Sequence, residues 1–197
     1  MAARKKIAIV QSSYIPWRGY FDLIHAVDEF ILFDETQYTK RDWRNRNRIK
    51  LPQGAFWLTI PVKVKGRSRQ KLSETMISDQ NWAKEHWKTL SMSYQKAPFF
   101  SQYKEIFREL YLNCNEDFLS KINYRFLTKL CDLLGIATPV RQSSEFVLVS
   151  GKTERLLAIC QQAGATDYLS GPAARGYLDE ELFNRAGITV HWMDYSG

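Results

Sequence analysis

The residues with the clearest chemical potential lie in one loop near the N-terminus. This loop, Gln11–Tyr20, holds an amide, a guanidinium and three aromatic rings beside Pro16 and Gly19. The apolar run Ile7–Val10 precedes it, and Phe21–Val27, with apolar residues at helical spacing, follows it. A strand, a loop and a helix start in this order form the ligand crevice of open α/β sheets, where free N–H groups favour phosphate or carboxylate. The alternative is an ordinary strand-to-helix turn with two packed aromatic residues.

The basic residues are concentrated in one segment. Residues 40–71 contain eleven of the 28 basic residues and one of the 21 acidic residues. This segment therefore carries a net charge of +10 and the remainder carries −3, giving +7 for the chain. Because like charges at this density repel one another, we expect an anionic partner nearby.

Three arginines within this segment alternate with two asparagines: Arg44, Asn45, Arg46, Asn47 and Arg48. On a strand all three guanidinium groups would share one face, whereas on a helix only the first and the last would. Arginine suits bidentate recognition of phosphate or carboxylate, and asparagine adds donors and acceptors.

Three interpretations of the arginine run stay open. It is a phosphate clamp for a nucleotide-type substrate, a nucleic-acid surface on which Trp43 and Trp57 stack, or a solvated basic surface.

The remaining pattern predicts an α/β fold with a doubly wound, mostly parallel sheet. We expect a single domain over residues 1–197, with a helical insertion at about 80–135. A second buried strand, Phe30–Phe33, ends at Asp34 and Glu35, where acids hold ribose hydroxyls or metal-bound phosphates in such folds. Capping, or pairing with the basic segment, is the alternative role of these acids. Later strands are predicted near Val140 and at Phe146–Val149, Thr166–Leu169 and Ile188–Trp192.

A second loop, Ser170–Gly176, also follows a predicted strand and precedes a helix. In a doubly wound sheet, both loops would face one crevice at the carboxyl ends of the strands. Between the insertion and this loop, Thr153 is predicted to cap a helix that Gly164 closes. We also expect the arginine run to lie over the mouth formed by the two loops.

Composition excludes several other classes of protein. No apolar run approaches the length of roughly 18 residues that a membrane span needs, and Ile7–Val10 is too short for a signal peptide, so a cytoplasmic protein is expected. The three histidines and three cysteines lack metal-ligand spacing, and we predict no metal site built from them.

Residues throughout the chain resemble the WbqC family of bacterial proteins. The opening loop matches, as do Asp34, Gln37, Tyr38 and the run Trp43–Ile49. Further matches are Leu58–Val62, Lys152–Arg155, Tyr168–Ala173 and Tyr177–Leu182. The resemblance implies a role in O-antigen or other surface-polysaccharide biosynthesis. It also implies a C-terminal segment beyond the point equivalent to Asp194–Gly197.

The two-loop arrangement also resembles the nucleotidylyltransferase-like (HUP) superfamily, whose first loop carries a His-x-Gly-His motif. This chain has Trp17-Arg-Gly-Tyr20 there, so Gly19 matches and both histidines are missing. By this analogy the predicted catalytic residues are Arg18, Tyr20, Asp34 and Arg46. The predicted substrate-binding residues are Gln11, Tyr14, Trp17, Gly19, Gln37, Tyr38, Arg44, Asn45, Asn47, Arg48, Ser170, Gly171 and Arg175.

Together these features predict a transferase or ligase. Its substrate would be a nucleotide-activated sugar, or an acyl or aminoacyl group destined for one. The cofactor is unknown, with ATP or a nucleotide sugar and Mg²⁺ as candidates, and the partner is an anionic small molecule. The alternatives are a nucleic-acid-binding module built on residues 40–71 and a non-catalytic scaffold in glycan assembly. The oligomeric state is not predicted.

Overall fold

Five parallel strands form the main sheet in a computed structural model that describes residues 4–196. The strands are β1 (Lys6–Val10), β2 (Glu29–Leu32), β5 (Val140–Gln142), β6 (Asp167–Ser170) and β7 (Thr189–Trp192). Their order across the sheet is β5-β2-β1-β6-β7, and every neighbouring pair is parallel. The chain thus proceeds outward from β1 in one direction, then returns and proceeds in the other. The predicted doubly wound, parallel α/β fold is confirmed.

Between these strands lie six helices and a two-stranded antiparallel sheet. The helices are α1 (Arg18–His25), α2 (Trp82–Tyr94), α3 (Phe100–Leu112), α4 (Leu119–Leu133), α5 (Thr153–Gln162) and α6 (Glu180–Arg185). The small sheet pairs β3 (Arg46–Leu51) with β4 (Gly54–Thr59). Within residues 4–196, no helix combines the length and apolar composition that a membrane span requires.

The fold divides into two compact units. The sheet unit comprises the described residues up to Gln11, Trp17–Glu35 and those from Leu130 onward. The hairpin unit comprises Ser12–Pro16 and Thr36–Lys129. The segment between β2 and β5 therefore contains the β3–β4 hairpin as well as the predicted helices. The single-domain organisation stays a prediction.

The core of the sheet unit explains why the strands β1 and β2 are mostly apolar. Ile7, Ile9 and Ile31 from β1 and β2 pack with Ile159 of α5 and Phe183 of α6, all nearly inaccessible to solvent. Parallel strands covered by helices on their faces cannot alternate apolar and polar residues, since neither face meets water.

The hairpin unit has its own core of aromatic and aliphatic residues. Tyr14, Trp82, Tyr111, Phe126 and Ile60 are buried together in it. Three of these rings come from α2, α3 and α4, whose aromatic residues recur at helical spacing.

Two local predictions are wrong. Phe146–Val149 is not a strand, because the Gln162 side chain bonds the backbone of Val147 twice. Gln162 Oε1 accepts from the Val147 N–H at 2.9 Å, and Gln162 Nε2 donates to the Val147 carbonyl at 2.8 Å. Thr153 is the first residue of α5 rather than its cap, and its hydroxyl donates to the carbonyl of Tyr177. The helix closes as predicted, since Gly164 has a φ of +68°.

Candidate functional site

The strand order of the sheet unit creates a crevice position between β1 and β6. These two strands are neighbours, and the connections that leave them lead to opposite sides of the sheet. In open α/β sheets, ligands bind outside the carboxyl ends of the strands at this topological switch point. β1 ends at Val10 and β6 ends at Ser170, so both predicted loops begin at this edge.

On the first loop, Trp17 and Gly19 form one local structure. Trp17 immediately precedes α1, and 57% of the residue is exposed. Its ring packs against the ring of Tyr195, with centroids 4.9 Å apart. A Cβ atom on Gly19 would overlap the ring of Trp17, so glycine is required for this packing. The predicted close approach at Gly19 is thus made by a side chain of the same loop.

The start of α1 carries no side-chain cap. The exposed Arg18 is its first residue, and the backbone N–H of Tyr20 bonds the carbonyl of Trp17 at 3.0 Å. Backbone N–H groups and a guanidinium at one helix start attract an anion.

Tyr20 and Gln11 are joined within this loop. Tyr20 is buried, and its hydroxyl donates to the carbonyl of Gln11 at 3.0 Å. This bond fixes the loop where it leaves β1. The predicted catalytic role of Tyr20 stays a prediction.

On the second loop, Ser170 is buried, and its carbonyl accepts from Met193 at 2.8 Å. Gly171 has no heavy atom within 4 Å of the place where a Cβ would lie. Arg175 is exposed in a 3₁₀ turn, 5.2 Å from the ring of Trp192. This loop therefore carries an exposed guanidinium. The sheet unit also contains Asp34, buried two residues beyond β2.

The predicted arginine run lies in the hairpin unit, where its residues have separate roles. Arg44 precedes β3, and its Nη1 donates to Ser13 Oγ at 2.8 Å. Arg46 and Arg48 lie on β3, so the strand interpretation is confirmed for these two residues. Their guanidinium carbons lie 4.0 and 5.4 Å from the ring of Trp57.

The two asparagines of the run hold backbone in place. Asn45 Nδ2 donates to the carbonyl of Ile60 at 2.8 Å. Asn47 Nδ2 contacts the carbonyls of Tyr14 and Ile15, and its Oδ1 accepts from the backbone N–H of Arg48. Both side-chain nitrogens thus bond carbonyls of the protein, and the substrate-binding roles of Asn45 and Asn47 stay predictions.

Gln37 and Tyr38 also belong to the hairpin unit. Gln37 Nε2 donates to the carbonyl of Ser68 at 2.8 Å. Tyr38 is buried, and burial raises the pKa of its hydroxyl, with a smaller contribution from Asp42 that Arg46 opposes. Gln37 therefore braces a loop, and Tyr38 is part of the core.

Tyr14 is the centre of a buried polar cluster that the sequence did not reveal. Its hydroxyl lies 3.0 Å from His86 Nδ1 and 2.6 Å from the hydroxyl of Tyr111. Burial lowers the pKa of His86 to about 4 and raises the pKa of Tyr14 well above its ordinary value. Only the i, i+4 spacing of Trp82 and His86 hinted that this histidine faces the core.

The predicted site residues therefore fall into two groups. One group lies in the sheet unit and contains Gln11, Trp17, Arg18, Gly19, Tyr20, Asp34, Ser170, Gly171 and Arg175. The other lies in the hairpin unit and contains Tyr14, Gln37, Tyr38, Arg44, Asn45, Arg46, Asn47 and Arg48. Convergence of the two groups stays a prediction. Among residues 4–196, no three His, Cys, Asp or Glu side chains are grouped so as to hold a metal ion.

Comparison with known proteins identifies the family. The model of the WbqC-like protein family matches residues 11–197. The chain belongs to the WbqC-like family. This WbqC-like protein is 54% identical over 193 residues to uncharacterized protein Rv1507c of Mycobacterium tuberculosis. The aligned residues cover 98% of this chain and 84% of that protein. No solved structure matches the chain significantly.

Proposed function

We propose that this WbqC-like protein is a transferase or ligase that binds a nucleotide or nucleotide sugar at the switch point between β1 and β6. Its substrate is a nucleotide-activated sugar, or an acyl or aminoacyl group destined for one, in surface-polysaccharide synthesis. The observation that carries the proposal is the strand order β5-β2-β1-β6-β7, which brings the starts of both loops to one sheet edge. Nucleotides bind at this position in doubly wound folds.

The exposed groups at this edge suit a nucleotide. Trp17 offers an aromatic face for a base, and Arg18 with the N–H groups of α1 offers positive charge for a phosphate. Arg175 offers a second guanidinium from the other loop.

In the nucleotidyl-transfer version, a substrate oxygen forms a bond to the α-phosphorus while the bond to pyrophosphate breaks. Such a reaction needs positioning and neutralisation of charge more than covalent participation by the protein.

Isothermal titration calorimetry with nucleoside triphosphates and nucleotide sugars, with and without Mg²⁺, tests the proposal. We expect Arg18→Ala to weaken binding about tenfold, which corresponds to about 1.4 kcal/mol for one charge-assisted contact. Arg185→Ala is the matched control, because Arg185 ends α6 just before β7 and so lies at the opposite sheet edge. No saturable binding by any nucleotide, or equal losses in both variants, would refute the site.

The second candidate is single-stranded nucleic-acid binding by the β3–β4 hairpin. Trp43 and Trp57 are 46% and 38% exposed, with ring centroids 5.3 Å apart, and Arg48 lies within 5.8 Å of both rings. Base stacking beside cationic groups is the usual binding mode of single strands. Fluorescence anisotropy with a labelled oligonucleotide should show salt-sensitive binding that Trp57→Ala weakens. A flat titration at low salt would eliminate this candidate.

A further inference from the structure

The hairpin unit contains a cavity that neither proposed activity uses. Its volume is about 400 Å³, and it lies between the β3–β4 hairpin, α2 and α3. This volume falls in the range of roughly 300–1,000 Å³ that small-molecule sites occupy. Its wall is dominated by aliphatic and aromatic side chains, among them Ile49, Leu58, Trp87, Leu90, Phe100 and Phe107.

Four polar side chains in the wall, those of Tyr14, Asn47, Tyr94 and Tyr111, are engaged within the protein. The hydroxyls of Tyr14 and Tyr111 bond each other, and the hydroxyl of Tyr94 accepts from the backbone N–H of Lys50 at 3.1 Å. The amide of Asn47 bonds backbone through both its nitrogen and its oxygen. A sugar or a base would bury its own polar groups here with few partners, which is unfavourable.

The charged residues of the wall are Arg48 and Lys104, and no acidic residue is among those that line the cavity. The Arg48 guanidinium lies beside Trp43 and Trp57, on the face of the hairpin opposite to Asn47 and Leu58, so Lys104 is the remaining cation at the cavity. Lys104 has a 4.0 Å contact with Glu105, at the limit of an ion pair, and both side chains are well exposed. A cation beside an apolar cavity complements a ligand with an apolar tail and an anionic head.

Exposed aromatic residues mark the open side of the cavity. Phe99 is 69% exposed and Tyr103 is 38% exposed, and both line the cavity. Exposed apolar groups of this size accompany ligand-binding grooves more often than inert surface.

The backbone beside the cavity is strained. Ile15 lines the cavity with a φ of +45°, in the left-handed region that β-branched residues avoid. Asn47 holds it there through the Ile15 carbonyl, and the backbone N–H of Tyr14 bonds the carbonyl of Trp43 at 3.0 Å. Such strain occurs mainly where the surrounding structure enforces it at a functional site.

From these observations we infer that the cavity binds an acyl chain of medium length with an anionic head group. The chain occupies the space between α2, α3 and the hairpin, and the carboxylate or phosphate head lies against Lys104. The inference goes beyond the proposed function and does not depend on nucleotide binding, since every residue that carries it belongs to the hairpin unit.

Calorimetric titration of the full chain with decanoate, octanoate, decyl phosphate and decyltrimethylammonium tests the inference. Decanoate should bind one to one, and octanoate about fifteenfold more weakly, since each buried methylene contributes about fourfold. Decyl phosphate distinguishes a phosphate head from a carboxylate. Decyltrimethylammonium has a decyl tail with a positive head, and we expect it to bind at least about tenfold more weakly than decanoate. Equal affinities across chain length or head charge would overturn the inference.

Two pairs of variants locate the site. Ala97→Trp places an indole in the cavity wall and should abolish decanoate binding, whereas Gln95→Trp, two residues away and outside the wall, should not. Lys104→Glu should weaken binding about tenfold and Lys88→Glu should leave it unchanged. Circular dichroism confirms folding, and the comparison of ligands on the unaltered chain decides the matter if a variant unfolds. Titration with a nucleotide sugar is read separately, so its failure would refute the proposed function alone.

Discussion

His86 should make the stability of this protein depend on pH between neutrality and about pH 4. The ring is buried, its Nδ1 lies 3.0 Å from the hydroxyl of Tyr14, and the backbone of Thr59 also bonds the ring. Burial is the largest cause of the lowered pKa, and the Thr59 carbonyl opposes it. The neutral imidazole is therefore the form that the native state accommodates.

The sign and size of the effect follow from the two pKa values. The pKa is about 4 in the folded protein against 6.5 for an ordinary histidine. Above pH 6.5 both states hold a neutral ring and no penalty exists. As the pH falls, the unfolded chain binds the proton first, so stability declines and the loss is complete below the folded pKa. With 1.36 kcal/mol for each unit, the total loss is roughly 3 kcal/mol.

Urea unfolding at intervals between pH 7.5 and pH 4 measures this loss. His86→Gln should be less stable at pH 7.5, because an amide replaces the packed imidazole ring. It should nevertheless lack most of the pH dependence, because glutamine does not titrate. His25→Gln is the control, since His25 is exposed and its removal should leave the wild-type slope unchanged. The difference between wild type and each variant removes the contribution of the carboxylates, because both proteins contain the same carboxylates.

A direct observation of the ring completes the test. In an NMR titration, the signals of the ring C–H protons of His86 should shift with a midpoint near pH 4, well below the midpoint of an exposed histidine. If wild type and His86→Gln lost stability in parallel between pH 6.5 and 4.5, the argument from burial would be wrong.

Two further substitutions test the sheet unit. Asp167 is buried beside Arg4 at 2.5 Å and His191 at 2.6 Å, and these partners hold the pKa of its carboxyl well below its usual range. Asp167→Ala should cost about 2 kcal/mol at pH 7 in urea unfolding, because it removes charge-assisted hydrogen bonds but leaves Arg4 exposed to solvent, against little for the exposed Asp194→Ala. Gly187 has a φ of +75° with open space around it, so Gly187→Ala should lower thermal stability by about 1 kcal/mol. Gly171→Ala, at a glycine without positive φ, should be neutral, and equal effects would contradict the conformational argument.

The sheet was largely predictable because its signals are local. Ile7–Val10 and Phe30–Phe33 are short apolar runs bounded by polar residues, and both lie within one or two residues of observed strands. Gly164 and Gly187 end helices through their own backbone conformation, which needs no distant partner. The error at Phe146–Val149 arose because Gln162, sixteen residues from Phe146, occupies the backbone groups that a strand would need.

The candidate site was less predictable, because its groups meet only through long-range packing. Tyr14, His86 and Tyr111 bond across separations of 72 and 97 residues, and no spacing rule connects them. The Nδ2 atoms of Asn45 and Asn47 bond carbonyls of Ile60 and Ile15, contacts that the sequence did not predict.

The amino-acid sequence alone determined the family, through motifs along the chain that resemble its members. It also determined the parallel α/β class and the concentration of positive charge, which depend on local periodicity and composition. Tertiary structure decided which of the arginines and asparagines are already engaged, and it enclosed an apolar cavity inside the hairpin unit. The physical reason is that hydrogen bonds and cavities depend on distances between side chains far apart in the chain. Only a folded backbone sets those distances.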